Sequence, residues 1–223
     1  MRLVTLDTIQ KIIKLSDIES HISNSGLEIS GSFYPNVYQT IVLLSPADNF
    51  WDIFKKSVEY AQKVKDPIDN WSFRVISKIA NKLFAKPEFP FGHKDNAPFL
   101  EWAKLSGEAW NSPVGMLVHN KRGLMISYRG ALVFDYQIKF KKLYTNSPCN
   151  KCIDKPCINA CPVKALTSKG YDIQSCYNFL DTAEGKKCMK NSCQVRTSCP
   201  ISVAVKHNSE HSLLHMNAFK GNK

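Results

Sequence analysis

Apolar residues near the start of the chain recur at helical spacing. Leu6, Ile9 and Ile13 share one face, which predicts a helix over 7–24. Ser16 and Glu19 form a capping-box pair that restarts this helix, and Gly26 ends it. The period then changes. Leu27, Ile29 and Phe33, followed by Tyr38 to Leu44, read as two strands with a turn at Pro35-Asn36. Ser45 to Asn49 is a loop, and Phe50, Trp51, Ile53 and Phe54 open another helix. Asp66-Pro67 starts the longest periodic stretch, in which Ile68, Trp71, Val75, Ile79 and Leu83 line one apolar, core-facing stripe.

Residues 85–99 carry Lys86-Pro87, Phe89-Pro90-Phe91-Gly92 and Ala97-Pro98, which predicts an extended loop. Leu100 to Leu105 is a short helix. Val114 to His119 and Gly123 to Phe134 predict two or three short strands, with turns at Asn120 to Gly123 and at Gly130. Residues 201–219 return to a helical pattern. The fold class expected is α+β. A mixed α/β, sandwich-like N-terminal domain over 1–145 precedes a cysteine-rich domain over 146–200 and a C-terminal helix and tail over 201–223.

The 223 residues carry a formal net charge of +11, which points to an acidic partner, nucleic acid first among them. The lysines are scattered along the chain, so the charge alone marks no binding face. Asp7, Gln10, Lys11 and Lys14 interrupt any apolar leader, and no apolar run reaches the ~20 residues that span a membrane. The expectation is a cytoplasmic protein with no membrane contact. There, clustered cysteines bind metal more often than they form disulfides.

All eight cysteines fall in one segment. It reads Cys149-x2-Cys152-x4-Cys157-x3-Cys161-Pro162, then a lone Cys176, then Cys188-x4-Cys193-x5-Cys199-Pro200. The first run is close to the bacterial ferredoxin pattern, in which three near cysteines wrap one [4Fe–4S] cube and the fourth serves a second cube. That logic assigns Cys149, Cys152, Cys157 and Cys199 to one cluster, and Cys161, Cys176, Cys188 and Cys193 to the other. Two four-cysteine zinc sites would also use all eight residues, but such sites favour paired Cys-x2-Cys motifs, and only one pair is present. A thioredoxin-like role for Cys149 and Cys152 lacks its βαβ context.

This order of cysteines, with the lone one in Cys176-Tyr177-Asn178-Phe179-Leu180, resembles the double-cluster domain of the epoxyqueuosine reductases. Val114 to Phe134, with Leu-Val-His and Tyr-Arg-Gly-Ala, is similar to the strand pair that precedes their clusters. The whole chain also resembles a group of small bacterial ferredoxin-like proteins. That likeness lies in Ile41 to Leu44 with Trp51 and Phe54, Asp66 to Trp71, Phe89 to Gly92, Ser112 to Gly115, Tyr128 to Ala131, and His215-Met216 with Phe219.

The resemblance implies a ferredoxin-like domain with two [4Fe–4S] clusters that transfers electrons to a redox partner protein or a bound substrate. The alternative it implies is an oxidoreductase: a divergent, cobalamin-dependent reductase acting on tRNA or a small molecule. Against cobalamin, the reductases' Lys-Asp-Tyr-His motif is missing, and Ser112-Pro113-Val114-Gly115 stands where they carry Gly-Lys-Asn.

Catalytic residues are unassigned on the electron-transfer reading. For the reductase, His119, Tyr128, Arg129 and Asp135 are the candidates; as structural residues, His119 would cap a turn, Tyr128 fill a core, and Arg129 face solvent or the cluster charge. Lys151, Lys155, Lys164, Lys186, Lys187 and Lys190 surround the cysteines and either meet an anionic partner or balance cluster charge. His207, His211 and His215 recur at i, i+4 and i+8. The outer two stand ~12 Å apart along a helix, too far to share an ion, so solvent-facing histidines are expected.

Overall fold

The computed structural model describes residues 14–92, 97–141, 146–205 and 208–221. Leu6, Ile9, Ile13 and His207 lie outside them. The architecture is mixed α/β with small antiparallel sheets.

Helix α1 (Leu15–Ser23) is entered differently from the expectation. The Asp17 carboxylate accepts from the Lys14 N–H at 3.1 Å, so the reciprocal pair is Lys14/Asp17 and not Ser16/Glu19. Gly26 has φ +82° and leads directly into β1 (Leu27–Phe33). Strand β2 (Thr40–Pro46) pairs with it, placing Leu27 opposite Pro46 and Phe33 opposite Ile41. Short helices α2 (Phe50–Phe54) and α3 (Val58–Ala61) follow, then α4 (Pro67–Lys82). On α4, Ile68, Trp71, Ile76, Ile79 and Ala80 are buried; Val75 is half-buried and Ile76 takes its place in the stripe.

Three expectations are corrected after α4. Lys86–Glu88 is strand β3, not loop. It is an edge strand, where a proline such as Pro87 costs no ladder partner on the open side. After α5 (Phe99–Leu105), Ala109–Asn111 forms an unanticipated β4 that pairs with β5 (Leu117–His119). Gly130 is no turn: it begins β6 (Gly130–Phe134), and residues 123–129 are not strand. A Cβ at Gly130 would meet the Ile76 side chain at 2.7 Å and the Glu88 carbonyl at 3.0 Å, so the glycine serves close packing.

The chain divides into two compact units. One comprises Met1–Gly107 and Ser127–Leu143, the other Glu108–Ile126 and Tyr144–Lys223. The β4–β5 hairpin thus belongs with the cysteine segment. The chain leaves the first unit after Gly107 and re-enters it to supply β6.

In the first unit the sheet order is β1-β2-β6-β3, all antiparallel. Strand β2 is central and buried from Thr40 through Ser45, which explains its unbroken apolar run. Leu43, Leu44, Leu132 and Phe134 from the sheet, with Phe50, Phe54, Trp71 and Ile76 from the helices, form the core. The Phe50 and Trp71 rings meet edge-on at 5.1 Å.

The second unit has far less apolar core. Val114, Val118, Leu124 and Val195 are buried together with Cys157 and Cys199, and Cys149, Cys161 and Cys193 pack against them. Its remaining elements are short: β7 (Leu166–Thr167), β8 (Gly170–Tyr171), α6 (Ile173–Leu180), α7 (Lys186–Asn191), α8 (Gln194–Thr197) and α9 (Pro200–Val203). Only α10 (Ser209–Gly221) is longer. The helix expected over 201–219 is therefore interrupted between α9 and α10. No helix among the described residues is long and apolar enough to cross a membrane.

Candidate metal centre

Tight turns set the spacing of the first cysteines. Pro148–Asn150 is a 3-10 turn whose first N–H groups need an external acceptor. The Ser147 hydroxyl accepts from the Cys149 N–H at 3.3 Å. A second such turn, Pro156–Ile158, is entered through Lys155 at φ +40° and buries Cys157. Cys161 then closes a turn in which its carbonyl accepts from the Lys164 N–H at 3.1 Å. Cys199 stands at the start of α9, where Pro200 occupies the first helical position and loses no bond by lacking an N–H.

These turns bring four sulfur-bearing residues from both ends of the segment to one cavity of about 480 Å³. Cys149, Cys152, Cys157 and Cys199 line it, with Val118, Leu124, Ile153 and Ile201. Burial pushes the Cys149 thiol up, and the sulfurs of Cys199 and Cys152 add to the effect. Cys157 is raised in the same way, by burial first and then by Cys149, Cys199 and Cys152.

The other four cysteines are not among the residues that line this cavity. Cys176 lies on α6, which Asp172 caps by accepting from the Ser175 N–H at 3.0 Å. Burial raises its thiol, and Cys161 and Cys188 are the sulfurs that act on it; the Tyr171 hydroxyl beside it pulls the other way. Burial also raises Cys193, with Cys188 contributing. Cys149, Cys152, Cys157 and Cys199 thus share one cavity, while Cys161 and Cys188 act on Cys176 and Cys188 acts on Cys193.

The donor chemistry fits a [4Fe–4S] cluster in each set. All eight cysteines are free thiols. Crowding four desolvated thiols costs free energy if they ionise unaided, and bound iron would supply the compensating positive charge. Among the described residues no three His, Cys, Asp or Glu side chains are grouped for a single ion.

The reductase candidates are divided between the two units. His119 is 1 % exposed and belongs to the second unit, where its Nδ1 accepts from the Lys121 and Arg122 N–H groups at 3.2 Å and so caps a turn. Tyr128, Arg129 and Asp135 belong to the first unit. Tyr128 is half-buried there. Arg129 does not face solvent. It is buried, ion-paired to Asp69, bonded through Nε to the Ser72 hydroxyl at 3.1 Å, and stacked on Phe91 at 5.3 Å. Asp135 is exposed and accepts from Gln39 Nε2 at 3.0 Å.

The six lysines around the cysteines are all exposed, and Lys155 is the one whose charge acts on Cys149. His211 and His215 are half-buried rather than solvent-facing, with their Nε2 atoms 2.9 Å apart.

Sequence reading missed the groups that touch the sulfurs. Tyr171 lies beside Cys176, Gln194 Nε2 donates to Cys188 Sγ at 3.5 Å, and the Ala165 N–H donates to Cys161 Sγ at 3.3 Å. Arg196 is half-buried beside Cys193, its Nη1 donating to the Leu124 carbonyl at 3.1 Å. The one available signal was position: Tyr171, Gln194 and Arg196 each lie within a few residues of a cysteine.

No protein-family model matches this chain, and no curated protein matches it.

Proposed function

We propose that this chain is an iron–sulfur protein carrying two [4Fe–4S] clusters and serving electron transfer to a redox partner protein or a bound substrate. Cys149, Cys152, Cys157 and Cys199 hold one cluster, and Cys161, Cys176, Cys188 and Cys193 the other. The observation that carries this reading is the meeting of Cys149 and Cys199, from opposite ends of the segment, at one cavity that Cys152 and Cys157 complete. The same proposal takes the first unit as a sandwich-like domain, the second as a ferredoxin-like dicluster domain related to that of the epoxyqueuosine reductases, and the protein as cytoplasmic.

A second observation supports it. The second unit consists of helices too short to persist alone and a core partly made of cysteine, and a unit of that kind needs a covalent or metal staple. Bound clusters would supply one-electron redox chemistry at potentials set by charge, hydrogen bonds to sulfur and solvent exposure. The chain's own part is to position eight thiolates, to shield the first set with Val118, Leu124 and Ile201, and to offer Arg196 as a countercharge beside Cys193.

Anaerobic purification and reconstitution tests the proposal. The expected result is about eight irons and eight sulfides per chain, broad visible absorption, and an EPR signal on reduction. Stoichiometric zinc with a featureless visible spectrum would overturn it.

A further inference from the structure

We propose that the surroundings make the two cysteine sets unequal, with Cys161, Cys176, Cys188 and Cys193 forming the set that holds the more readily reduced cluster. The inference rests on the two-cluster reading above. It concerns what each sulfur faces.

In this set two sulfurs meet a donor. The Ala165 N–H reaches Cys161 at 3.3 Å and Gln194 Nε2 reaches Cys188 at 3.5 Å. The Tyr171 hydroxyl lies beside Cys176, and the Arg196 N–H donates to the Cys193 carbonyl at 2.9 Å. The Arg196 guanidinium adds a positive charge at Cys193, and its hydrogen bond to the Leu124 carbonyl fixes it there.

Around the other set, among the described residues, the donors are fewer: the Ser147 hydroxyl accepts from the Cys149 N–H at 3.3 Å and stands beside that residue's sulfur. The cation that acts on this set, Lys155, is exposed, so solvent and salt screen it. The walls of the cavity are largely apolar, with Val118, Leu124, Ile153 and Ile201. Reduction adds negative charge that spreads onto the sulfurs. Donors and nearby cations stabilise that state and raise the potential, whereas an apolar wall does neither.

Tyr171 is held for this role by α10. Its ring stacks on Phe219 at 6.1 Å and 12°, and the Phe219 carbonyl accepts from the Tyr177 hydroxyl at 2.9 Å. Tyr171 is thus a positioning and tuning residue whose orientation depends on the C-terminal helix.

The test is a potentiometric EPR titration of the full, anaerobically reconstituted chain. The unmodified protein should reduce in two separate steps. Tyr171→Phe and Gln194→Leu should each lower the higher-potential step, so that the reduced fraction at fixed potential falls about tenfold, with iron content and the lower step unchanged. Ser147→Ala should move the lower step alone. Coincident steps in the unmodified protein, or variants at full iron content that leave the higher step in place, overturn the inference while the two-cluster reading stands. A chain that takes up no iron overturns both.

Discussion

Cys149 and Cys199 line the same cavity although almost the whole cysteine segment lies between them. Cys149 is delivered by a 3-10 turn capped by Ser147, and Cys199 by the start of α9. A ligand drawn from the far end of the segment ties its two ends together, so losing it should release more than one bond. Cys199→Ala is therefore expected to bring iron from about eight to about four per chain, with one EPR-active centre left. Iron and sulfide analysis checks this; retention of all the iron would remove Cys199 from the ligand set.

Removing the metal altogether should act on one unit. The first unit has its own aromatic and aliphatic core, and the second depends on the cysteines for much of its interior. Chelation under reducing conditions should strip amide protection from 146–205 and leave the β1-β2-β6-β3 sheet protected. Hydrogen exchange read by mass spectrometry resolves the two regions.

Gly123 is the point where the β4–β5 hairpin meets α9. It has φ +54°, and a Cβ there would meet the Ser202 backbone nitrogen at 2.6 Å. The Ser202 hydroxyl accepts from the Leu124 N–H at 2.9 Å just beside it. Gly123→Ala combines left-handed strain with a backbone clash and should cost about 2 kcal/mol. Cluster loss at lower temperature than in the unmodified protein, followed by visible absorption, is the readout.

In the first unit, Arg129 is buried and depends on Asp69. Asp69→Asn leaves the guanidinium with Ser72 and Phe91 but no anion. The expected loss is about 2 kcal/mol, moderated because Asp69 is itself partly exposed. Adding Arg129→Met removes the uncompensated charge and should restore part of that loss in denaturant titrations.

The Glu59–Arg74 pair sets an acid response. Arg74 donates from Nε at 2.5 Å and Nη2 at 2.9 Å, and this bond holds the Glu59 carboxyl at about 2, below its ordinary 4.5. Because the folded value is depressed, the pair's contribution is present above pH 4.5 and is lost as pH falls toward 2. Arg74→Gln should cost about 1 kcal/mol at pH 6, a modest figure because Arg74 is half exposed, and the difference should shrink toward pH 2. A difference that is constant across this range would contradict the assignment.

The sequence by itself determined what local chemistry governs. The strand pair 27–46 was legible because β2 carries an unbroken apolar run, and α4 because Asp66-Pro67 precedes a regular stripe. The eight cysteines and their spacing were also legible from sequence alone, and the proposed clusters start from them.

The tertiary structure decided what depends on distant partners. Lys86–Glu88 became a strand only because β6 offers it an edge, and Gly130 left its expected turn because Ile76 and Glu88 crowd it. The hairpin 108–126 joined the cysteine unit because Val114, Val118 and Leu124 complete its small core. His119 and Arg129, chemically suggestive in sequence, are held by a turn and by Asp69. The donors at the sulfurs were invisible for the same reason. A hydrogen bond to sulfur depends on where Gln194 and Ala165 come to rest, and only the folded chain settles that.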